Sequence, residues 1–274
     1  MITFYNLGKK GKLGNQMFQY ATLMALALEN NYSFGISFDK NRGYILKGDN
    51  KKHYLYLNES FNLTCENITD FSFIKHIYKE DINFKFDKNI FKIKDNTNID
   101  GYFQSEKYFK KYRQEILKEF TFKDDIIKTS EEKLNIYENN IKISIHIRRG
   151  DYLKFEKWHP PVSSTYLKSS IQYIKEKMND IPHVFLIFTD DAKWAKEKFE
   201  DIQVIEGNDK YVDLCMMSMC EHNIIANSSF SWWAAWLNKN KDKIILAPEV
   251  WFGSKVDKNK DKNIIPKSWK KIKC

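Results

Sequence analysis

From residue 141 onward the chain alternates short apolar runs with amphipathic segments, at a spacing that few folds accept. Residues 141–147, 184–188, 202–205, 222–226 and 243–247 read as strands. Between them lie a helix carrying Leu167, Ile171, Ile174 and Met178 on one face and a second carrying Trp194, Ala195 and Phe199. A helical segment at 211–220 and a helix that opens at 227–233 complete the pattern. Alternating β and α at this spacing implies a parallel sheet covered on both faces, with right-handed connections. The first strand is the clearest. Ile141, Ile143, Ile145 and Ile147 alternate with Lys142, Ser144, His146 and Arg148, which puts the isoleucines on one face and the polar set on the other.

The N-terminus starts in a related way. Residues 2–6 read as a strand, 8–16 as a glycine-rich loop, 17–28 as a largely buried helix and 33–38 as a second strand, as doubly wound nucleotide-binding domains begin. The loop is neither Gly-x-Gly-x-x-Gly nor a P-loop. A tight βα turn without ligand is the plainer reading, although N–H groups at a helix start can hold an anion. Residues 40–99 show no period and predict short helices and loops. Ser105 caps a predicted helix with Tyr108, Phe109, Tyr112, Ile116 and Phe120 at three- and four-residue steps. The charged, helical stretch 124–140 marks a domain boundary, giving domains 1–130 and 131–274.

The 274 residues are 42% apolar and 15% aromatic, ample for a packed core. The net charge of +9 favours anionic partners, but the lysines are scattered, and solubility is their commoner meaning. No arginine-rich helix or stacking motif supports nucleic acid as a partner. Cys65, Cys215, Cys220 and Cys274 have neither disulfide-framework nor zinc spacing, so reduced thiols in a cytosolic compartment are expected. The first residues lack a signal-peptide pattern and no apolar run would span a bilayer. Any membrane contact is expected to be peripheral.

Three predicted strands of the second half end in polar residues: Arg148-Arg149-Gly150-Asp151, Thr189-Asp190-Asp191, and Asn227-Ser228-Ser229-Phe230-Ser231. In a parallel sheet these ends share the ligand-binding edge. Two arginines there suit a diphosphate, because the guanidinium is always charged and offers a planar fork of donors. Pairing with surface carboxylates is the equal alternative. The serines open a helix, where hydroxyls and free N–H groups bind phosphate. Asp190 or Asp191 can accept from ribose hydroxyls or a base, or cap the following helix. Phe230 can lie against a flat ring. Together they describe a nucleoside diphosphate site. The Asp-x-Asp pattern of metal-dependent nucleotide-sugar enzymes is absent, so no metal is expected.

Five blocks carry a resemblance: Gly11-x-Leu13-Gly14-Asn15-Gln16-Met17-Phe18-Gln19-Tyr20-Ala21, Gly101-Tyr102-Phe103-Gln104-Ser105-Glu106-Lys107-Tyr108-Phe109, His146-Ile147-Arg148-Arg149-Gly150-Asp151-Tyr152, Phe188-Thr189-Asp190-Asp191 and Asn227-Ser228-Ser229-Phe230-Ser231-Trp232-Trp233-Ala234. In this order the chain resembles glycosyltransferase family 11, the α-1,2-fucosyltransferases. The resemblance implies an α/β, GT-B-like fold of two Rossmann-like domains facing a cleft, with the acceptor on the N-terminal side and GDP-fucose on the C-terminal side. It implies no metal cofactor. Arg148 becomes the diphosphate arginine, with His146 and Arg149 nearby. Asn227, Ser228, Ser229, Phe230 and Ser231 line the diphosphate and nucleoside, Asp190 and Asp191 lie toward ribose or guanine, and Gly14, Asn15 and Gln16 face the donor. One position departs: the family usually has glycine where Lys12 stands, and a positive φ there would strain a lysine.

The implied reaction is inverting transfer from GDP-β-L-fucose to the 2-hydroxyl of a terminal galactoside, in surface polysaccharide or O-antigen synthesis. Asp151, Glu156 and His159 are the candidate proton acceptors, and Asp151 is also placed to orient an arginine. The expected acceptor is a galactose-terminated glycan, lipid-linked at a cytoplasmic membrane face. A related α-1,6 enzyme and a non-catalytic glycan binder are the alternatives.

Overall fold

The computed structural model describes residues 1–37, 44–45, 52–81, 85–256 and 263–273. The chain divides into two units, Met1–Lys123 with Lys262–Ile264, and Asp124–Asp261 with Ile265–Cys274.

In the first unit β1 (Ile2–Thr3), α1 (Leu13–Asn30) and β2 (Phe34–Ile36) follow the expected order, with shorter strands. A hairpin β3 (Tyr44–Ile45) and β4 (Lys52–His53) and a one-turn helix α2 (Leu57–Ser60) come next. Then follow β5 (Glu66–Asn67), β6 (His76–Lys79), β7 (Thr97–Asp100) and α3 (Arg113–Glu119). The sheet order is β5-β2-β1-β7-β6, and every neighbouring pair is parallel. Among the described residues, 40–99 therefore hold three strands of this sheet, β5, β6 and β7, besides the β3–β4 hairpin, and not only short helices and loops. They escape a pattern search because they are two to four residues long and mostly polar. The helix expected from Ser105 is also broken. Ser105 does cap, its Oγ accepting from the Lys107 N–H at 3.3 Å, but the segment forms 3₁₀ turns at Glu106–Tyr108 and Lys110–Tyr112 before α3. Phe109, at φ −142° and ψ −5°, leaves the helical region and interrupts it.

The second unit comprises α4 (Asp124–Asn135), β8 (Ile141–Ile147), α5 (Ser164–Met178), β9 (His183–Thr189), α6 (Ala192–Lys198) and β10 (Gln203–Ile205). It continues with α7 (Lys210–Met219), β11 (His222–Ile224), α8 (Ser229–Leu237), β12 (Ile245–Pro248) and β13 (Lys270–Ile272). The division thus falls at 123/124 rather than 130/131. Helix α4 decides it: Ile126 and Leu134 are buried, and Ser130 Oγ reaches the Val212 carbonyl of α7 at 3.5 Å.

The six strands are all parallel in the order β10-β9-β8-β11-β12-β13. Counted from β8 this is 3-2-1-4-5-6, the doubly wound order, with its reversal between β8 and β11. Ile143, Ile145 and Ile147 pack in one core cluster with Leu167, Ile171, Ile174 and Met178 of α5. The polar face of β8 is covered too. Ser144 Oγ accepts from Asn223 Nδ2 at 2.7 Å, and that amide also donates to the Met217 carbonyl at 2.8 Å. Asn238 Nδ2 closes the network on Asn223 Oδ1 at 2.8 Å. Buried polar groups need such partners, so these residues fix the register of α7 and α8 on the sheet. Trp232, Trp233 and Trp236 of α8 are core residues.

Among the described residues no helix is long and apolar enough to cross a membrane. Cys65, Cys215 and Cys220 are free thiols, and Cys274 lies outside the described residues.

Candidate active site

The register of β8 on β9 runs to Ile147 opposite Thr189, so the next residues, Arg148 and Asp190, meet at the sheet edge. Asp190 shapes the turn. Its Oδ1 accepts the Arg149 N–H at 2.8 Å and the Gly150 N–H at 3.2 Å, while Oδ2 pairs with Arg148 Nη1 at 2.9 Å. A side chain at Gly150 would place Cβ 2.6 Å from Asp190 Oδ2, so the carboxylate holds its place on the turn only because this position is glycine. On its other side Arg148 meets Asp151, with Nε at 2.9 Å and Nη2 at 2.6 Å from the same oxygen. Both sequence-level readings of Arg148 thus have a structural basis. It is ion-paired, and it stands where the sheet order reverses. At most three of its five N–H groups are engaged, which leaves donors for a ligand.

The Arg149 guanidinium sits over the Trp194 ring, 4.0 Å from its centroid, with Nε 3.2 Å from Asp191 Oδ2. Asp191 also caps α6, its Oδ1 accepting from the Trp194 N–H at 3.3 Å. The two aspartates are engaged by the arginine turn and a helix cap, and each side chain keeps part of its surface exposed. Trp194 carried no site reading in the sequence. Its one signal is its place three residues after a capping aspartate, and only the strand register reveals the arginine.

Across the reversal, Ser228 caps α8, its Oγ accepting from the Phe230 N–H at 3.3 Å. Ser229 and Phe230 are partly buried, and the Phe230 ring lies 5.6 Å from that of His146. Ser231 Oγ is buried and turned back to the Ala226 and Ser228 carbonyls. His146 is buried. Desolvation, reinforced by Arg148 and opposed by Asp190, pushes its pKa down to about 4, so it is neutral near pH 7. Its Nδ1 has no hydrogen-bond partner among the described residues.

Tyr152 joins these parts. Its ring lies 5.8 Å from the Arg148 guanidinium, its hydroxyl donates to the Asn227 carbonyl at 3.1 Å, and burial pushes its pKa up to about 12. His159 stacks on it at 5.2 Å. Asn227, read from sequence as a ligand residue, is a buried strut. Its Nδ2 donates to the Pro160 and Trp251 carbonyls, each at 2.9 Å, and ties the loop after Arg148 to the loop after β12. Gly253 completes that seam: its N–H donates to the Trp158 carbonyl at 2.9 Å, and an added Cβ would sit 2.5 Å from the Lys157 carbonyl oxygen. Glu156 is exposed on this loop and pairs with no cation among the described residues.

In the first unit the glycine loop enters α1. Lys12 sits at its N-cap with φ −94° and ψ −167°, extended backbone open to any residue, so the lysine is not strained. Gly11, at φ +89°, takes the position that needs glycine. Gly14 is buried in the first turn of α1. Asn15 Oδ1 accepts from Gln104 Nε2 at 2.7 Å. Gln16 is fully buried, Nε2 donating to the Tyr54 carbonyl at 2.7 Å and Oε1 accepting from the Tyr56 N–H at 2.8 Å, so it braces the segment 54–56 against the start of α1.

The sequence matches the family model described as glycosyl transferase family 11 over residues 1–273. The chain belongs to that family. It is 32% identical to an alpha-1,2-colitosyltransferase of Escherichia coli, over 96% of each chain. It is 30% identical to the E. coli O-antigen biosynthesis glycosyltransferase WbnK, covering 88% of this chain and 93% of that one. A galactoside 2-alpha-L-fucosyltransferase of Mus musculus, Sec1, is 25% identical over 89% of this chain and 66% of its own length. The fold is similar to a crystal structure of POFUT1 in complex with GDP, at a TM-score of 0.55 and 10% identity, covering 89% of this chain and 97% of that one. The α/β, GT-B-like fold and glycosyltransferase class are thereby settled for this family 11 member. Its arginine turn and capped helix lie at the crevice where open α/β sheets take ligands.

Proposed function

We propose that this chain transfers L-fucose from GDP-β-L-fucose to the 2-hydroxyl of a galactose-terminated acceptor, with inversion at the anomeric carbon. The observation that carries the reading is Arg148, beside the capped start of α8 where β8 and β11 part. Negative charge grows on the diphosphate as the C–O bond breaks, and a fixed guanidinium with a helix N-terminus stabilises that charge. Asp151 and Asp190 orient Arg148. Arg149, held by Asp191 and Trp194, extends the cationic rim. Ser228, Ser229 and Phe230 meet the diphosphate and the base. Of the two candidate carboxylates, Asp151 is taken by Arg148, so Glu156 is assigned the acceptor's proton. The acceptor is lipid-linked, and the net charge of +9 favours its approach at an anionic membrane surface.

The alpha-1,2-colitosyltransferase relative supports a second donor. Colitose is L-fucose without its 3-hydroxyl, so the two readings differ at one atom. Incubation with GDP-fucose or GDP-colitose and a galactoside panel, followed by linkage analysis, decides between them. The expected product is an α-1,2 fucoside. Preference for the 3-deoxy donor reassigns the donor, and an α-1,6 product rejects the linkage. GDP alone at 100 times its Kd should add about 2.7 kcal/mol of stability, and the absence of any thermal shift would reject the site. We further propose that cations of the protein suffice for the leaving group: the transfer rate is expected to be the same with and without EDTA, and loss of activity restored by Mg²⁺ would reject this.

A further inference from the structure

The carboxyl edge of the first unit's sheet holds a second organised cluster, built around Glu80. This residue follows β6, and its partly buried carboxylate reaches the turn after β7. Oε2 accepts the Tyr102 N–H at 2.6 Å, and both oxygens lie 3.0 Å from the Phe103 nitrogen. Phe103 has φ +52°, a left-handed conformation that a bulky residue holds only when its surroundings impose it. A Cβ at Gly101 would come 2.4 Å from Glu80 Cβ, so the side chain and the turn are fitted to each other.

The turn leads directly to Gln104, whose amide donates to Asn15 Oδ1 in the first turn of α1 at 2.7 Å. Gln19 Nε2 ties the same two segments, donating to the Lys10 carbonyl at 3.2 Å and the Gly101 carbonyl at 3.0 Å. Lys10 Nζ is itself 2.6 Å from Asp100 Oδ1, so its charge is balanced within the cluster. β1 and β7 are neighbours in the sheet, so the segments that follow them, carrying Asn15 and Gln104, lie side by side at its carboxyl edge. Beside the turn the edge presents neutral hydrogen-bonding groups, the partly exposed amides of Asn15 and Gln104 and the phenol of Tyr102, although Lys9 and Lys12 stand exposed on the neighbouring loop. Such a set matches the hydroxyls of a neutral sugar, in contrast to the arginine turn of the second unit.

We propose that Glu80 is a positioning residue for the acceptor sugar, holding the 101–104 turn so that Gln104 and Asn15 present their amides to sugar hydroxyls. The proposal rests on reading the chain as a transferase to a neutral glycan. The groups facing Glu80 are Lys10, Asp100, Tyr78 and Tyr108. Burial brings its carboxyl up to about 7, against the opposing pull of the Phe103 and Tyr102 N–H groups and Lys10. Tyr78 and Tyr108 are pushed above the ordinary phenol range and stay neutral. Above pH 7 Glu80 is ionised and both oxygens accept from the turn. Below it a proton occupies one oxygen and the turn loosens.

The test uses the full chain with lactose as acceptor and GDP-fucose as donor, from pH 6 to 8. The wild-type KM for lactose is expected to fall about five-fold as pH rises, the scale of one amide hydrogen bond, while the KM for GDP-fucose stays level. In Glu80→Gln the lactose KM is expected to remain at its low-pH value throughout. A wild-type lactose KM independent of pH, or a variant that shifts both KM values together, overturns the proposal. Hydrogen exchange of residues 101–104, corrected for the intrinsic pH dependence, is read in parallel. Protection should rise above pH 7 in the wild type and not in Glu80→Gln; equal protection in both also overturns it. If no donor yields any transfer, the function reading fails, and the exchange measurement still decides whether Glu80 controls the turn.

Discussion

Arg148→Ala is expected to lower the rate of fucosyl transfer by about 10²–10³, the usual cost of removing one donor aimed at developing negative charge. The melting temperature should barely move. Arg148 pairs with Asp151 and Asp190 at the surface, where ion pairs add little stability. The turn itself survives, because Asp190 keeps the Arg149 and Gly150 N–H groups. The loss should fall on kcat in single-turnover assays more than on the KM for the donor. Arg148→Lys should recover only part of it, since one ammonium cannot reproduce a planar fork held between two carboxylates. A folded Arg148→Ala protein with normal transfer would remove Arg148 from the site.

Asn227→Ala should act in the opposite manner, through stability first. Its amide satisfies two carbonyls, those of Pro160 and Trp251, within a buried seam. Each acceptor left unpaired in the interior costs about 1–3 kcal/mol, so a loss of about 2–6 kcal/mol is expected in urea or thermal unfolding, toward the lower end because the Pro160 carbonyl is only partly buried. GDP binding should weaken with it, because the same seam fixes the loop after Arg148. Asn227→Asp separates shape from hydrogen bonding: it keeps the size but offers oxygen where the carbonyls need a donor. It should be at least as damaging as alanine, and wild-type stability in Asn227→Asp would reject the strut.

What the sequence made legible is what period and position encode. The isoleucine alternation of 141–147 located β8, and the βα spacing after it predicted a parallel sheet whose polar ends share an edge. Ser228 and Asp191 announced themselves as caps because each stands just before a helical run. Contacts between distant segments were not legible. The Asp190 carboxylate is directed at the arginine turn by the pairing of Ile147 with Thr189, which no local pattern specifies. The bracing bonds of Asn227 and Gln16 were not legible either, because an amide's composition does not tell which distant carbonyls it will meet. Strands β5 to β7 were invisible since a two- to four-residue polar strand carries almost no periodicity, and its existence depends on neighbours in the sheet. The Lys12 question needed a single dihedral angle.

The paired carboxylates around Arg148 bear on how each catalytic cycle ends. A bare guanidinium would hold GDP as firmly after transfer as it held the donor before it. In the proposed reaction Asp151 and Asp190, which pair with Arg148 in the structure, contend with the diphosphate for the same cation and reclaim it as the nucleotide moves off. On that reading the pairing returns the site to its starting arrangement, and escape of the spent nucleotide is quickened at some cost in grip.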